Sequence, residues 1–198
     1  MMTKRDMCFF KMFCCIAVFA IMTVVAAPSY AKGDKVKKLN KDNVKAFITS
    51  TSQMTKGGDE FTSAEAIRTY LEKHLAKDAR FISTMTYHIP DMQPQSTSVN
   101  FDKTKFMQTV NEGAESIDSY ENTVSITDIK IAWGGKKAFV KTESTETGFM
   151  AVPGDNEGDL EDVPIEGKSN CAQVITLQKG VIQMSNAVCK TDITFSGF

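Results

Sequence analysis

The chain of 198 residues holds few side chains suited to chemistry: two histidines, five cysteines and one tryptophan, among 24 acidic and 23 basic groups. His74 is the best placed for proton transfer, because an imidazole titrates near physiological pH. Asp78 follows four residues later, within reach of the ring if one helix carries both, and Tyr70 or Tyr87 could serve as proton donor. Such a set would make a small acid-base centre of the dehydratase or isomerase type. The plainer reading of His74 is a satisfied core histidine, since it continues an apolar stripe. His88 alternates out of phase with Phe81, Met85 and Tyr87 and is a poorer candidate. Tyr70, His74, Met85, Tyr87 and Trp133 are expected to line a largely apolar pocket between helices and sheet.

Five carboxylates crowd between Asp155 and Asp162. A helix-loop-helix calcium loop needs glycine at its sixth position, and Leu160 stands there, so a solvated hairpin loop is expected and no metal is assigned. The chain has no Gly-x-Ser-x-Gly, His-Glu-x-x-His or Cys-x-x-Cys spacing, so hydrolase, zinc and thioredoxin-like chemistry lack their residues, and no cofactor is implied.

Lys4 and Arg5, an apolar run from Met12 to Ala27, and the small residues of Ser29-Tyr30-Ala31 follow one another as in a cleavable secretory signal. The run is shorter than the roughly 20 apolar residues that span a bilayer comfortably. Residues 1–31 therefore read as a signal peptide, 32–39 as a solvated basic leader and 40–198 as a single domain. The mature protein is expected in the periplasm or outside the cell, with no membrane span after cleavage near Ala31. Removing Lys4, Arg5, Lys11 and Asp6 leaves 20 basic and 23 acidic residues, net −3, a balance that argues against nucleic acid as partner. Cys8, Cys14 and Cys15 leave with the signal, so Cys171 and Cys189 are partners by elimination in an oxidising compartment. A hairpin pairing centred on Gly180 sets them opposite on one sheet face, whereas a plain two-residue turn without a bulge would put them on opposite faces.

The elements that must position these groups follow from hydrophobic period. Val44, Phe47, Ile48, Thr51 and Met54 predict a first helix, stopped by Gly57-Gly58. Thr62-Ser63-Ala64-Glu65 is a capping-box signature for a second, whose stripe is Ile67, Tyr70, Leu71, His74 and Leu75. From Phe81 to Ile89 the period shortens to two, predicting a strand ended by Pro90; Asp91 to Val99 is polar and reads as loop. Phe106, Met107 and Val110 mark a third helix. Ile117 to Trp133 is a long strand whose apolar phase slips, which a bulge near Thr127-Asp128 would absorb. Gly134-Gly135 predicts a two-residue hairpin into residues 136–150, and Lys179-Gly180 joins the last two strands. The expected fold is α+β: a curved antiparallel sheet with three helices, all from the N-terminal half, packed on its concave face.

This order resembles the nuclear transport factor two-like (NTF2-like), or SnoaL-like, superfamily across about Leu39 to Phe195. The local stretches that carry the resemblance are Leu75-Ala76-Lys77-Asp78-Ala79-Arg80-Phe81 and Phe101-Asp102-Lys103-Thr104-Lys105-Phe106. It implies a cone of three helices against a bent sheet, on which isomerases, dehydratases, ligand carriers and protein-binding domains all occur. Enzymatic members pair an aspartate with a histidine, or two acids with a tyrosine, inside the cone, and no such acid is identifiable beside His74. The favoured function is an exported, non-enzymatic domain of the bacterial periplasm that binds a small apolar ligand or a protein partner, with a homodimer through the open sheet face as one arrangement. The alternative is a small acid-base enzyme using His74, Asp78 and Tyr87.

Overall fold

The computed structural model describes residues 35–53, 64–113, 117–153 and 160–196. The expected signal through Ala31, the Gly57-Gly58 helix stop, Thr62 and Ser63 of the capping signature, and Asp155 to Asp159 of the acidic run lie outside the described residues. The elements run α1 (Lys41–Gln53), α2 (Ala64–His74), β1 (Leu75–His88), β2 (Gln95–Asp102), α3 (Lys103–Gly113), β3 (Ile117–Ile131), β4 (Lys137–Pro153), β5 (Leu160–Gln178) and β6 (Val181–Phe195).

Three helix ends are satisfied by identifiable partners. Asn40 Oδ1 accepts from the Asn43 amide at 2.8 Å and Asn43 Oδ1 accepts from the Asn40 amide at 3.0 Å, a reciprocal cap that starts α1. Its stripe of Val44, Phe47, Ile48 and Thr51 is buried, as the period predicted. α2 ends at His74, where Lys103 Nζ donates to Glu72 O at 2.7 Å and Leu75 O at 2.9 Å, and Gln183 Nε2 donates to Lys73 O at 2.8 Å. A cation at the carbonyl end of a helix is also favoured by the helix dipole. Asp102 caps α3 through the Lys105 amide at 2.9 Å. That helix then lays Phe106 on Phe81, with the rings stacked and their centroids 3.9 Å apart.

The strands form one open six-stranded sheet in the order β2-β1-β6-β5-β4-β3. Four neighbouring pairs are antiparallel, and β1 with β6 is parallel, so the sheet is mixed rather than purely antiparallel. In β3 the pairs Ile126 with Thr142 and Asp128 with Lys141 skip Thr127. This bulge, at the expected place, returns Ile129 and Ile131 to the inner side with Val124 and Ile126.

Four local expectations are corrected. Residues 95–102, expected as loop, are the edge strand β2; its side chains are mostly polar because one edge and one face meet water, and Thr86 and Ser96 hydroxyls lie 3.1 Å apart across the pair. β5 begins at Leu160, so the second half of the acidic stretch is strand, with Val163 and Gly167 inward. The β3–β4 connection is a four-residue loop rather than a two-residue turn: Ala132 N donates to Lys137 O and Gly135 N to Ala132 O, with Trp133 at the tip and φ of +86° and +65° at Gly134 and Gly135. Finally, residues 35–39 do not stand free as a solvated leader. Val36 N donates to Gly180 O at 3.0 Å, Leu39 N donates to Gly135 O at 2.8 Å, and Leu39 is buried.

The disulfide joins Cys171 to Cys189 across β5 and β6, with a Cα separation of 4.1 Å. Its register has two causes. Lys179-Gly180 is a two-residue turn that pairs Gln178 with Val181 and Ile175 with Met184, a register that alone would place the thiols on opposite faces. Val174 instead pairs with Asn186, so Ser185 is an extra residue, and this bulge brings Cys189 opposite Cys171.

Candidate functional site

The helix-covered face of the sheet can be read as rows running across the strands. Nearest the β3–β4 and β5–β6 turns lie Ile131, Ala138, Ile175, Met184 and Leu75, and beside them Ile129, Val140, Gln173, Ala187 and Phe81. The third row is Ile126, Thr142, Cys171, Cys189 and Ser83, and the fourth Val124, Ser144, Ser169, Thr191 and Met85. The fifth is Asn122, Glu146, Gly167, Ile193 and Tyr87. Apolar side chains fill the first row, and polar ones enter with Gln173 and dominate the middle of the face.

His74 sits at the apolar end. Its Nδ1 lies 2.8 Å from Ile182 O, and because a carbonyl only accepts, Nδ1 carries the proton. Burial lowers its pKa below the usual histidine value, with Lys73 adding to the effect and the hydrogen bond to Ile182 opposing it, so the ring is neutral at pH 7. The Tyr70 ring packs against it at 4.4 Å between centroids. Thr51 Oγ1 donates to Phe47 O at 2.9 Å, which leaves its lone pair to accept the Tyr70 hydroxyl at 3.1 Å. Around them Phe47, Leu71, Leu75, Phe106 and Met184 enclose a cavity of about 10 Å³ as room for water centres, space for about one water molecule.

Of the expected site residues only Tyr70 and His74 come together in this cavity. Asp78 is exposed on β1, because α2 stops at His74 and the chain continues extended, so the helical spacing that would have joined the two is lost. Met85 and Tyr87 are buried further along the face, with the Tyr87 hydroxyl donating to Met85 Sδ at 3.3 Å. Trp133 is fully exposed and lines no pocket, because β3 ends at Ile131 and the loop carries it off the sheet. His88 faces outward and meets Asp192 at 3.2 Å.

A second group was not anticipated. Thr142, Ser144 and Glu146 on β4, Ser169 and Gln173 on β5, Thr191 on β6, Ser83 on β1 and Asn122 on β3 are all buried on the inner face. Glu146 is only 6% exposed, accepts from Ser144 Oγ at 3.4 Å and has side-chain-free Gly167 as its neighbour on β5. Ser169 and Thr191 hydroxyls are 2.9 Å apart, and Gln173 Nε2 donates to Thr142 Oγ1 at 3.3 Å. Gln173 Oε1 and Ser83 Oγ are buried without a hydrogen-bond partner. Eight residues of β4 separate the Ala138 row from Glu146, about 26 Å at strand rise, so Glu146 and His74 do not share one site. Parity along β4 carried the signal: Val140 faces inward, and 142, 144 and 146 follow it.

Of the acidic run, Glu161 and Asp162 are described and exposed, and among the described residues no three metal-ligating groups come together.

No protein-family model and no curated protein matches the chain. Solved structures similar to it include an NTF2-like protein from Cytophaga hutchinsonii, 15% identical, covering 77% of this chain and 98% of that one at a TM-score of 0.39. A ketosteroid isomerase-like protein from Erwinia carotovora atroseptica is 10% identical over 70% of this chain and 85% of its own, at 0.35. A hexachlorocyclohexane dehydrochlorinase is 11% identical over 73% and 82%, at 0.42. These likenesses concern layout and bring no activity to this chain. Among the described residues, three helices stand against one open, bulged six-stranded sheet, the α+β architecture that the element order implied.

Proposed function

We propose that this protein is an exported binding domain, and that the polar middle of the inner sheet face, around Glu146, receives a small polar ligand that presents a cation or hydrogen-bond donors. The observation that carries this reading is the buried hydroxyl, amide and carboxylate array, in which Gln173 Oε1 and Ser83 Oγ lack partners. Each unsatisfied buried group costs about 1–3 kcal/mol, a loss that a bound donor at Gln173 or Ser83 would recover. The apolar ligand expected from sequence has less support, because the apolar slot beside His74 has room for about one water. Export is supported by the N-terminal pattern of Lys4 to Ala31 and by a disulfide that persists in oxidising compartments. The acid-base alternative loses the Asp78–His74 pair on which it stood.

Native mass spectrometry of protein purified from its own cell envelope tests the proposal. A small polar adduct on the wild type that disappears in Glu146→Gln, with the fold unchanged by circular dichroism, is the expected result. Wild type that is bare in every preparation, or an adduct that Glu146→Gln retains undiminished, would overturn it.

A further inference from the structure

The turn end of the sheet combines two features that the polar middle of the inner face does not use. The first is Trp133, the single tryptophan of the chain, which is 104% exposed at the tip of the β3–β4 loop. The second is charge. Lys35, Lys37 and Lys38 are strapped across the two turns by the bonds from Val36 to Gly180 and from Leu39 to Gly135, next to Lys136, Lys137 and Lys179 of the turns themselves. Lys136 Nζ reaches Lys37 O at 3.4 Å, and the Lys38 side chain lies against Gly135, where it would meet a Cβ. No aspartate or glutamate occurs in residues 35–41, 129–138 or 176–184. At the opposite end Glu161 and Asp162 are exposed at the start of β5.

A short basic run binds a membrane weakly without an apolar partner, and an exposed tryptophan beside lysines supplies one, because its ring favours the headgroup boundary.

We propose that the turn end of this domain docks on an anionic bilayer surface, with Trp133 entering the headgroup region and Lys35, Lys136 and Lys137 against lipid phosphates. This orientation points the acidic end of the sheet away from the membrane. It is independent of the ligand reading, since none of these residues belongs to the polar middle of the inner face.

The single tryptophan makes the test direct. The exported protein, cleaved near Ala31, is mixed with nanodiscs of phosphatidylcholine alone or with phosphatidylglycerol, and Trp133 emission is recorded with and without brominated lipid. The expected result is a blue shift and quenching in the anionic discs and neither in the neutral ones. Lys136→Gln with Lys137→Gln should weaken the lipid contact more than tenfold, at about fivefold per lysine. Water-like emission in both discs would overturn the proposal, as would equal quenching in both, which would mean that lipid charge plays no part in the contact. Full displacement of the lipid contact by polyglutamate at matched charge would also overturn it, in favour of an acidic polypeptide.

Discussion

The two ends of one sheet face behave as different materials. Toward the turns, Ile131, Ala138, Ile175, Met184 and Leu75 meet the helices, and even the polar groups there are committed locally: His74 to Ile182 O and Tyr70 to Thr51. Eight residues along β4 the same face holds Glu146, hydroxyls and an amide that hydrogen-bond sideways to one another or not at all. The strands run unbroken through both regions, so what changes is the residue chosen at every second position. The first half is built to hold the helices, and the second buries polar groups at a cost to stability.

The sharpest way to break this contrast is to damage the packed half. Phe81→Ala removes a fully buried ring stacked on Phe106 and should cost about 3–5 kcal/mol in urea unfolding, with Glu146→Gln changing stability far less. Equal losses from the two substitutions would dissolve the division. Next in size is the staple between the halves. Deleting Ser185 removes the bulge, slides Cys189 off Cys171 and should leave two reactive thiols in the denatured, unreduced protein, together with the loss of about 3 kcal/mol that a closed loop of this size contributes.

Smaller still is the pH dependence set by His74. Its folded pKa lies below the ordinary 6.5, so the unfolded chain takes up the proton first as pH falls. The stabilisation is complete above about pH 6.5 and declines below it until the folded pKa is passed. Urea midpoints at about pH 7.5 and about pH 5 should therefore draw together in His74→Gln. The smallest effect belongs to the polar half. Gln173→Met replaces a carbonyl that has no partner by a side chain of similar length, so stability should stay within about 1 kcal/mol of wild type or rise. A loss as large as that of Phe81→Ala would show that Gln173 holds the fold together.

Much of the first half was legible in the sequence because apolar residues announce their own period: Val44, Phe47 and Ile48 gave α1, and the phase slip around Ile126 to Ile129 located the bulge. The second half was not, since Lys141 to Thr147 alternates polar with polar, and nothing within it says which set faces inward. Only carrying the parity forward from Val140 finds Glu146. Trp133 was misassigned for the converse reason, an aromatic counted inward from its strand when the loop had already taken it out. β2 was missed because an edge strand rich in serine and threonine has the composition of a loop. The parallel β1–β6 pair is invisible to any local reading, as its partners stand about a hundred residues apart, such as Arg80 with Asn186.

That pair also sets the order in which the molecule can be assembled. β1 is made early, yet its neighbour toward the middle of the sheet is the last strand of the chain, and the carbonyl at the end of α2 waits for Gln183. Closing so long a loop is slow relative to hairpin formation. A nascent chain halted before residue 181 would have β1 paired on one edge only and its core uncovered. Until β6 is made, the β1–β2 pair and the β3–β4–β5 strands have nothing to join them into one sheet.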